Sequence, residues 1–244
     1  MILTRLRNAL RRQDWFAVVL EMLIVIVGVV VGFQVTAWGN QRSERAEEQE
    51  LLRGLQSEFT QVMLDLETQV GKHQRIERAL ASTLEALTEA ERTGGSTAVV
   101  ADTTIAWANI ATTTQFSQGL LDGLLTTGRL GLIQDQELQS ALSEWEGVLA
   151  DVTEDEIASR HLVTDQFAPI LWRRMDVRSF LRYGLVSGTL PPSELGSVSE
   201  IPVDNETLGV LATRLYWQQH LILEFEGPQE EAHRILGLIE QSLE

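Results

Sequence analysis

Apolar residues fill the stretch from Trp15 to Trp38 almost without interruption, whereas the rest of the chain carries them at helical intervals of three and four. The first pattern predicts a membrane-spanning helix over residues 15–38. At 1.5 Å per residue it reaches roughly 36 Å, enough to cross a ~30 Å hydrocarbon core with some tilt. Met22 to Asn40 carries no charge, and Trp15 and Trp38 fall where an aromatic belt places them at the two interfaces. The second pattern begins soon after. Leu52, Leu55, Phe59, Val62, Leu66, Ile76, Leu80, Leu84 and Leu87 keep a three/four spacing, interrupted at Gln69 and His73, and no proline intervenes between Gln41 and Arg92. One long amphipathic helix over residues 39–93 is expected, with Glu47, Glu50, Arg53, Glu58, Arg75 and Glu77 on its wet side.

Thr93-Gly94-Gly95-Ser96-Thr97 reads as a helix stop and turn. Val99 to Ile110 is compatible with an extended segment or with the start of a short helix. Gln115 to Thr127 predicts a helix with Leu120, Leu121, Leu124 and Leu125 inward, closed by Gly128. Asp135 is placed to cap a helix over Gln136 to Leu149 that buries Leu138, Leu142, Trp145 and Leu149. Thr153-Glu154-Asp155-Glu156 has the form of a capping box that opens another helix, divided at Pro169 and ending near Gly184. Ser187 to Asp204 predicts a long irregular surface loop. Asn205 is expected to cap the last helical region, with a kink at Gly227-Pro228 and an apolar face at Ile235, Leu238, Ile239 and Leu243. No repeat or hairpin series is evident. The fold class expected is all-α: a single N-terminal transmembrane helix continuing into a long amphipathic helix that packs in an extracytoplasmic helical bundle, with residues 94–244 forming the remainder of the bundle.

Charge orients the chain. Arg5, Arg7, Arg11 and Arg12 precede the apolar segment, opposed by Asp14, which predicts that residues 1–14 are cytoplasmic and the body lies outside. A bacterial inner-membrane location with a periplasmic domain follows. The exported part, residues 41–244, holds 15 Arg and Lys against 33 Asp and Glu, a balance of −18, which argues against nucleic acid or anionic headgroups as partners of this domain. A cleaved signal peptide is the competing reading, through Val35-Thr36-Ala37, but the apolar run exceeds the usual ~7–15-residue signal core. The absence of cysteine removes disulfides and thiolate metal sites.

Glu21, Val25, Gly28, Gly32, Val35 and Gly39 recur at four and three, so they share one face of the membrane helix. The glycines let another backbone approach, and an acid on that face prefers a protein partner to lipid. The alternative is that Glu21 snorkels to the inner interface. At ~100° per residue this face and the Leu52–Val62 stripe point to different sides, which predicts that the first meets another membrane helix while the second packs on the chain's own bundle.

No catalytic, cofactor or metal site is expected. Glu230 and His233 have the E-x-x-H spacing of carboxylate di-metal sites, but no second copy exists. His220 and Glu224 read first as a solvated helical ion pair and second as a weak metal pair. His73 and His161 lack metal-ligand spacing. The motifs G-x-S-x-G and H-E-x-x-H are missing, as is a phosphate loop. Trp107, Trp145, Trp172 and Trp217 read as core residues before they read as a cleft. Arg173, Arg174, Arg178 and Arg182 are the basic cluster of an acidic domain. Arg174, Arg178 and Arg182 share a face that serves either internal ion pairs or docking of an acidic partner or the outer membrane surface.

The string Thr126-Thr127-Gly128-Arg129-Leu130-Gly131-Leu132-Ile133-Gln134-Asp135-Gln136-Glu137-Leu138, with Ala141, Leu142 and Trp145 after it, resembles a recurrent bacterial pattern. Glu21 to Gly28, continuing through Gln34 to Trp38-Gly39-Asn40, is similar to the membrane segment of the same family. That family comprises single-pass membrane proteins with an all-helical exported domain, catalogued as a domain of unknown function. The resemblance covers about a quarter of the chain and implies architecture without an activity. Where the family has an aromatic and a basic residue, this chain has Leu121 and Gln139. The string itself also reads as a tight helix-to-helix corner.

Two function classes remain. One is a non-enzymatic interaction or scaffold protein, associating through its membrane helix as a homo-oligomer or as an accessory subunit with other membrane-protein subunits. The other is an extracytoplasmic ligand-binding sensor that signals through a partner, since about 14 cytoplasmic residues leave no room for an output domain. An enzyme built from dispersed carboxylates ranks third.

Overall fold

The computed structural model describes residues 15–116, 118–176 and 197–244. It is mostly helical, and Trp15–Arg92 forms one unbroken helix, α1. The chain divides into two compact units, up to Leu51 and from Leu52 to Glu244.

In the first unit α1 is long and apolar enough to cross a membrane. From Met22 to Trp38 its large apolar side chains are all exposed, with Phe33 at 74%. At the end of this stretch the Arg42 guanidinium lies 5.7 Å from the centre of the Trp38 ring, a cation–π contact that suits an apolar-to-polar boundary.

In the second unit the expected stripe is the core. Leu52, Leu55, Phe59, Leu66, Ile76, Leu80 and Leu87 are fully buried. The helix stops at a Schellman turn: Gly94 takes φ +76°, its N–H donates to Glu91 O, and the Gly95 N–H donates to Ala90 O. The chain then forms β1 (Thr97–Ala101) and α2 (Asp102–Ala108), so the ambiguous segment is extended first and helical after. Helix α3 (Gly119–Thr127) begins four residues later than expected, buries Leu121 and Leu124, and ends at Gly128 with φ +68°. A 3-10 turn at Arg129–Leu132 leads to α4 (Gln136–Leu162), capped by Asp135, whose Oδ1 accepts from Leu138 N at 2.9 Å. This part of the family-like string is a helix-to-helix corner. After α4 come a π-helical turn (Val163–Phe167) and α5 (Ala168–Arg174), then β2 (Val198–Pro202), α6 (Asn205–Glu224) and α7 (Glu226–Leu243). The π turn just ahead of Pro169 is the interruption expected there, since proline removes a backbone donor and crowds the preceding turn. Trp145 on α4 is fully buried, edge-on to Phe59 at 5.3 Å between ring centres.

Several expectations are corrected. The all-α class holds, with one two-stranded ribbon added to it: β1 and β2 pair antiparallel, with Val99 opposite Glu200 and Ala98 opposite Ile201. Ala98, Val100 and Ile201 are buried while Val99 is exposed, the alternation of a half-buried strand. The irregular stretch thus includes a strand from Val198. Pro202 is tolerated because it ends a two-stranded ribbon. Residues 187–196 of that stretch lie outside the described residues, as do the expected helix end at Gly184 and residues 1–14. The Thr153–Glu156 box opens no helix, because α4 runs through it and Thr153 Oγ1 donates to Leu149 O in the preceding turn. The cap of α6 is Asp204, not Asn205: its Oδ1 accepts from Thr207 N at 2.9 Å. The break between α6 and α7 falls at Phe225, two residues before Gly227. Finally, Glu58 is not a solvated surface acid. Its two carboxylate oxygens accept from Leu121 N at 3.0 Å and Leu120 N at 2.8 Å, capping α3, which has no capping side chain of its own.

Candidate functional site

The described residues concentrate their unusual chemistry along α4 and α6 where these helices meet α1. Each helix carries an apolar stripe at three/four spacing, and each stripe is broken by polar side chains. On α4 the stripe runs Trp145, Leu149, Val152, Glu156 and Ser159, and continues to Val163 of the π turn. On α6 it runs Thr207, Leu211, Arg214, Gln218 and Leu221, and continues to Phe225 at the break. On α1 the interruption is His73. Glu156, Gln218, Arg214 and His73 are all 2% exposed or less. Acids and arginines rarely reach such burial unless most of their polar atoms are hydrogen-bonded.

Glu156 is held by three donors. Thr114 Oγ1 donates to Oε1 at 2.7 Å and Thr114 N to Oε2 at 2.6 Å, while His73 Nε2 lies 3.3 Å from Oε1. The Gln218 amide nitrogen lies 2.9 Å from His73 Nδ1 and 3.4 Å from the His73 carbonyl oxygen. A carbonyl oxygen only accepts, so the amide donates there and at Nδ1, and the imidazole donates through Nε2–H to Glu156. Phe225 closes the ring's face, 5.2 Å away between centres. The cluster pins the loop at Thr114 to three helices.

Arg214 sits one helical turn from Gln218. Its Nη1 donates to Ser159 Oγ at 2.7 Å and its Nη2 to Ile110 O at 2.9 Å, and Nε has no partner. No carboxylate among the described residues lies within ion-pair distance, and burial pushes its pKa down to about 10. A guanidinium without a counter-charge among the described residues therefore sits in the core, one helical turn from the residue that contacts His73.

Towards solvent, the same two helices bring Asp155, His220 and Glu224 together, with one ligand atom from each lying within 4.8 Å of the others. Next to them Trp217, 44% exposed, stands edge-on to His220 at 5.8 Å. Trp217, Ala158, Leu162, Asp165 and Gln166 line a groove of about 360 Å³, with Ser159 reaching it from the Arg214 side.

The residues singled out from sequence fare differently. A methyl group at Gly28, Gly32 or Gly39 would meet nothing within 4 Å beyond the neighbouring backbone of its own helix. Glu21, Val25 and Val35 are helical with them on α1. Arg174 is engaged internally, paired with Asp204 and Glu206 and 3.3 Å from Thr207 Oγ1, while Arg173 reaches Glu206 at 3.8 Å. Arg178 and Arg182 lie outside the described residues. His233 Nδ1 lies 3.0 Å from Gln229 O, and Glu230 brings it no third ligand. Of the tryptophans, Trp145 is core, Trp107 lies under the Arg75 guanidinium at 5.0 Å, and Trp172 and Trp217 are exposed. Arg214, Gln218 and Thr114 carry no expectation from sequence and Glu156 one only as part of a capping box, although Glu156, Arg214 and Gln218 occupy apolar-stripe positions on their helices.

A scan against protein-family models finds no match, and no curated protein or solved structure matches this chain.

Proposed function

We propose that this protein is a membrane-anchored, non-enzymatic interaction protein of the bacterial inner membrane, with its N-terminus in the cytoplasm and its C-terminal domain on the periplasmic side. It associates through the face formed by Glu21, Val25, Gly28, Gly32, Val35 and Gly39, as a homo-oligomer or as an accessory subunit of a membrane complex. The observation that carries this reading is the bareness of α1 between Met22 and Trp38: its apolar side chains are exposed and its glycines meet nothing within 4 Å beyond their own helix backbone. In water such a surface is untenable, and in lipid the small residues mark where a second helix packs. The Leu52–Leu87 stripe, by contrast, is consumed inside the second unit. The family-like membrane segment and corner motif agree with this architecture.

The test is the particle mass of the full chain extracted in mild detergent, before and after Gly28→Leu and Gly32→Leu together. A defined oligomer, or a stoichiometric membrane subunit that co-purifies and is lost in the double variant, is the expected result. A monomer in both preparations overturns it.

A ligand-sensing role is the second reading, favoured by the groove beside Trp217. Its signature is a melting shift with a small molecule that depends on Trp217 and leaves the particle mass unchanged.

A further inference from the structure

We infer that Asp155, His220 and Glu224 form a binding site for a first-row divalent metal ion of the zinc class. The site joins two helices, Asp155 on α4 and the i, i+4 pair His220 and Glu224 on α6. A single nitrogen faces both acids: His220 Nε2 lies 3.9 Å from Asp155 Oδ2 and 3.5 Å from Glu224 Oε1. These distances are too long for hydrogen bonds, whose N···O separations run to ~3.2 Å. Ligand bonds of ~2.0–2.2 Å place neighbouring donors of a tetrahedron roughly 3.3–3.6 Å apart, so the Glu224 oxygen already stands at that spacing and the Asp155 oxygen has a few tenths of an ångström to close on an ion.

Charge supports the same reading. Among the described residues neither Asp155 nor Glu224 pairs with an arginine or lysine, although Arg173, Arg174, Arg92 and Arg234 all find acids elsewhere in this domain. Two carboxylates are thus held against one imidazole nitrogen with no arginine or lysine among the described residues beside them. A neutral imidazole with two carboxylates favours zinc and its neighbours over calcium or magnesium, which prefer oxygen alone. Three protein ligands leave a fourth position for water, and each side chain is exposed enough for the ion to enter, at 33–42%. Binding clamps α4 to α6 directly over the buried Glu156–His73 layer.

The site makes its own reporter, because Trp217 stands 5.8 Å from His220. The experiment uses the full chain in detergent, without a polyhistidine tag, stripped with a chelator and titrated with Zn²⁺ against a chromophoric competitor. One Zn²⁺ per chain is expected. Affinity should fall at least about tenfold in Asp155→Asn and in His220→Ala, and stay unchanged in His233→Ala. Cu²⁺ in place of Zn²⁺ should quench Trp217 fluorescence in the native chain and not in His220→Ala. Binding that is absent, that survives Asp155→Asn and His220→Ala combined in a chain with native circular dichroism, or that is lost in His233→Ala overturns the assignment.

Discussion

His73 Nε2 stands 3.3 Å from Glu156 Oε1, and this contact spans 83 residues of sequence to tie the long first helix to α4 in the centre of the second unit. Removing one partner of such a pair strands the other without water. Glu156→Leu is therefore expected to cost about 3–5 kcal/mol, and Glu156→Gln, which keeps an acceptor for Thr114, distinctly less. Chemical denaturation of the two variants checks the order. Equal losses would mean that the charge, not the hydrogen bonds, holds the cluster.

Arg214 behaves in the opposite sense. Its pKa is lowered to about 10 by burial, so the unfolded chain binds more protons than the folded one between about pH 10 and the ordinary arginine value. The charged guanidinium thus opposes folding at every pH below that window. Arg214→Met removes the desolvated charge, which offsets the loss of two hydrogen bonds from a charged donor of about 1.5–3 kcal/mol each. Its melting temperature should stay within a few degrees of the native value. A fall as large as that of Glu156→Leu would show that Arg214 has a buried counter-charge.

Glu58 and Gly54 dock α3 together. The carboxylate caps the helix, and a Cβ at Gly54 would come within 2.6 Å of the Leu120 Cδ2 methyl. Glu58→Ala is expected to cost about 1 kcal/mol, the usual value of a lost cap. Gly54→Ala should change little, because the end of the Leu120 side chain can swing away, whereas Gly54→Val should destabilise clearly. Thermal melts of the three variants decide the matter.

Asp204 links α6 to acid stability. The Thr207 backbone N–H, with help from Arg174, holds its carboxyl below the usual aspartate range. A depressed folded pKa contributes stability above the unfolded value of ~3.9, and loses it as pH falls through the folded value. Asp204→Ala should be destabilised by about 1 kcal/mol at neutral pH. The difference from the native chain should shrink as the pH is taken below ~3.9, as read from denaturation curves at each pH.

Much of the fold was legible because three/four periodicity is a strong signal over long helices. The Leu52–Leu87 stripe, the Asp135 cap and the Gly128 stop are all written in adjacent residues. The sheet was hidden because Thr97–Ala101 finds its partner about a hundred residues later, in a segment whose prolines and glycine read as loop. Glu58, expected on the wet side of its helix, and Glu156, expected in a capping box, both belong to tertiary contacts instead. An acid on a helix is ordinarily solvated, and only the packed neighbours reveal whether it caps another helix or fills a core position. For Glu156 a signal did exist: it falls on the Trp145–Val163 stripe, as Arg214 and Gln218 fall on that of α6. Polar residues on three facing stripes foretell a buried polar layer, though not which atoms meet. His220 and Glu224 were visible as a pair, and their third ligand, Asp155, lies on another helix.

If one face of the membrane helix is an association surface, a crosslink from that face should differ from one on the opposite side. A photoreactive residue is placed at Gly32, and in a second variant at Val30, half a helical turn away at ~100° per residue. Both are irradiated in native membranes. A discrete adduct from position 32, with the mass of a dimer or of one other membrane protein, and little from position 30 is the predicted result. Equal adducts from both positions, or none from either, would contradict the account.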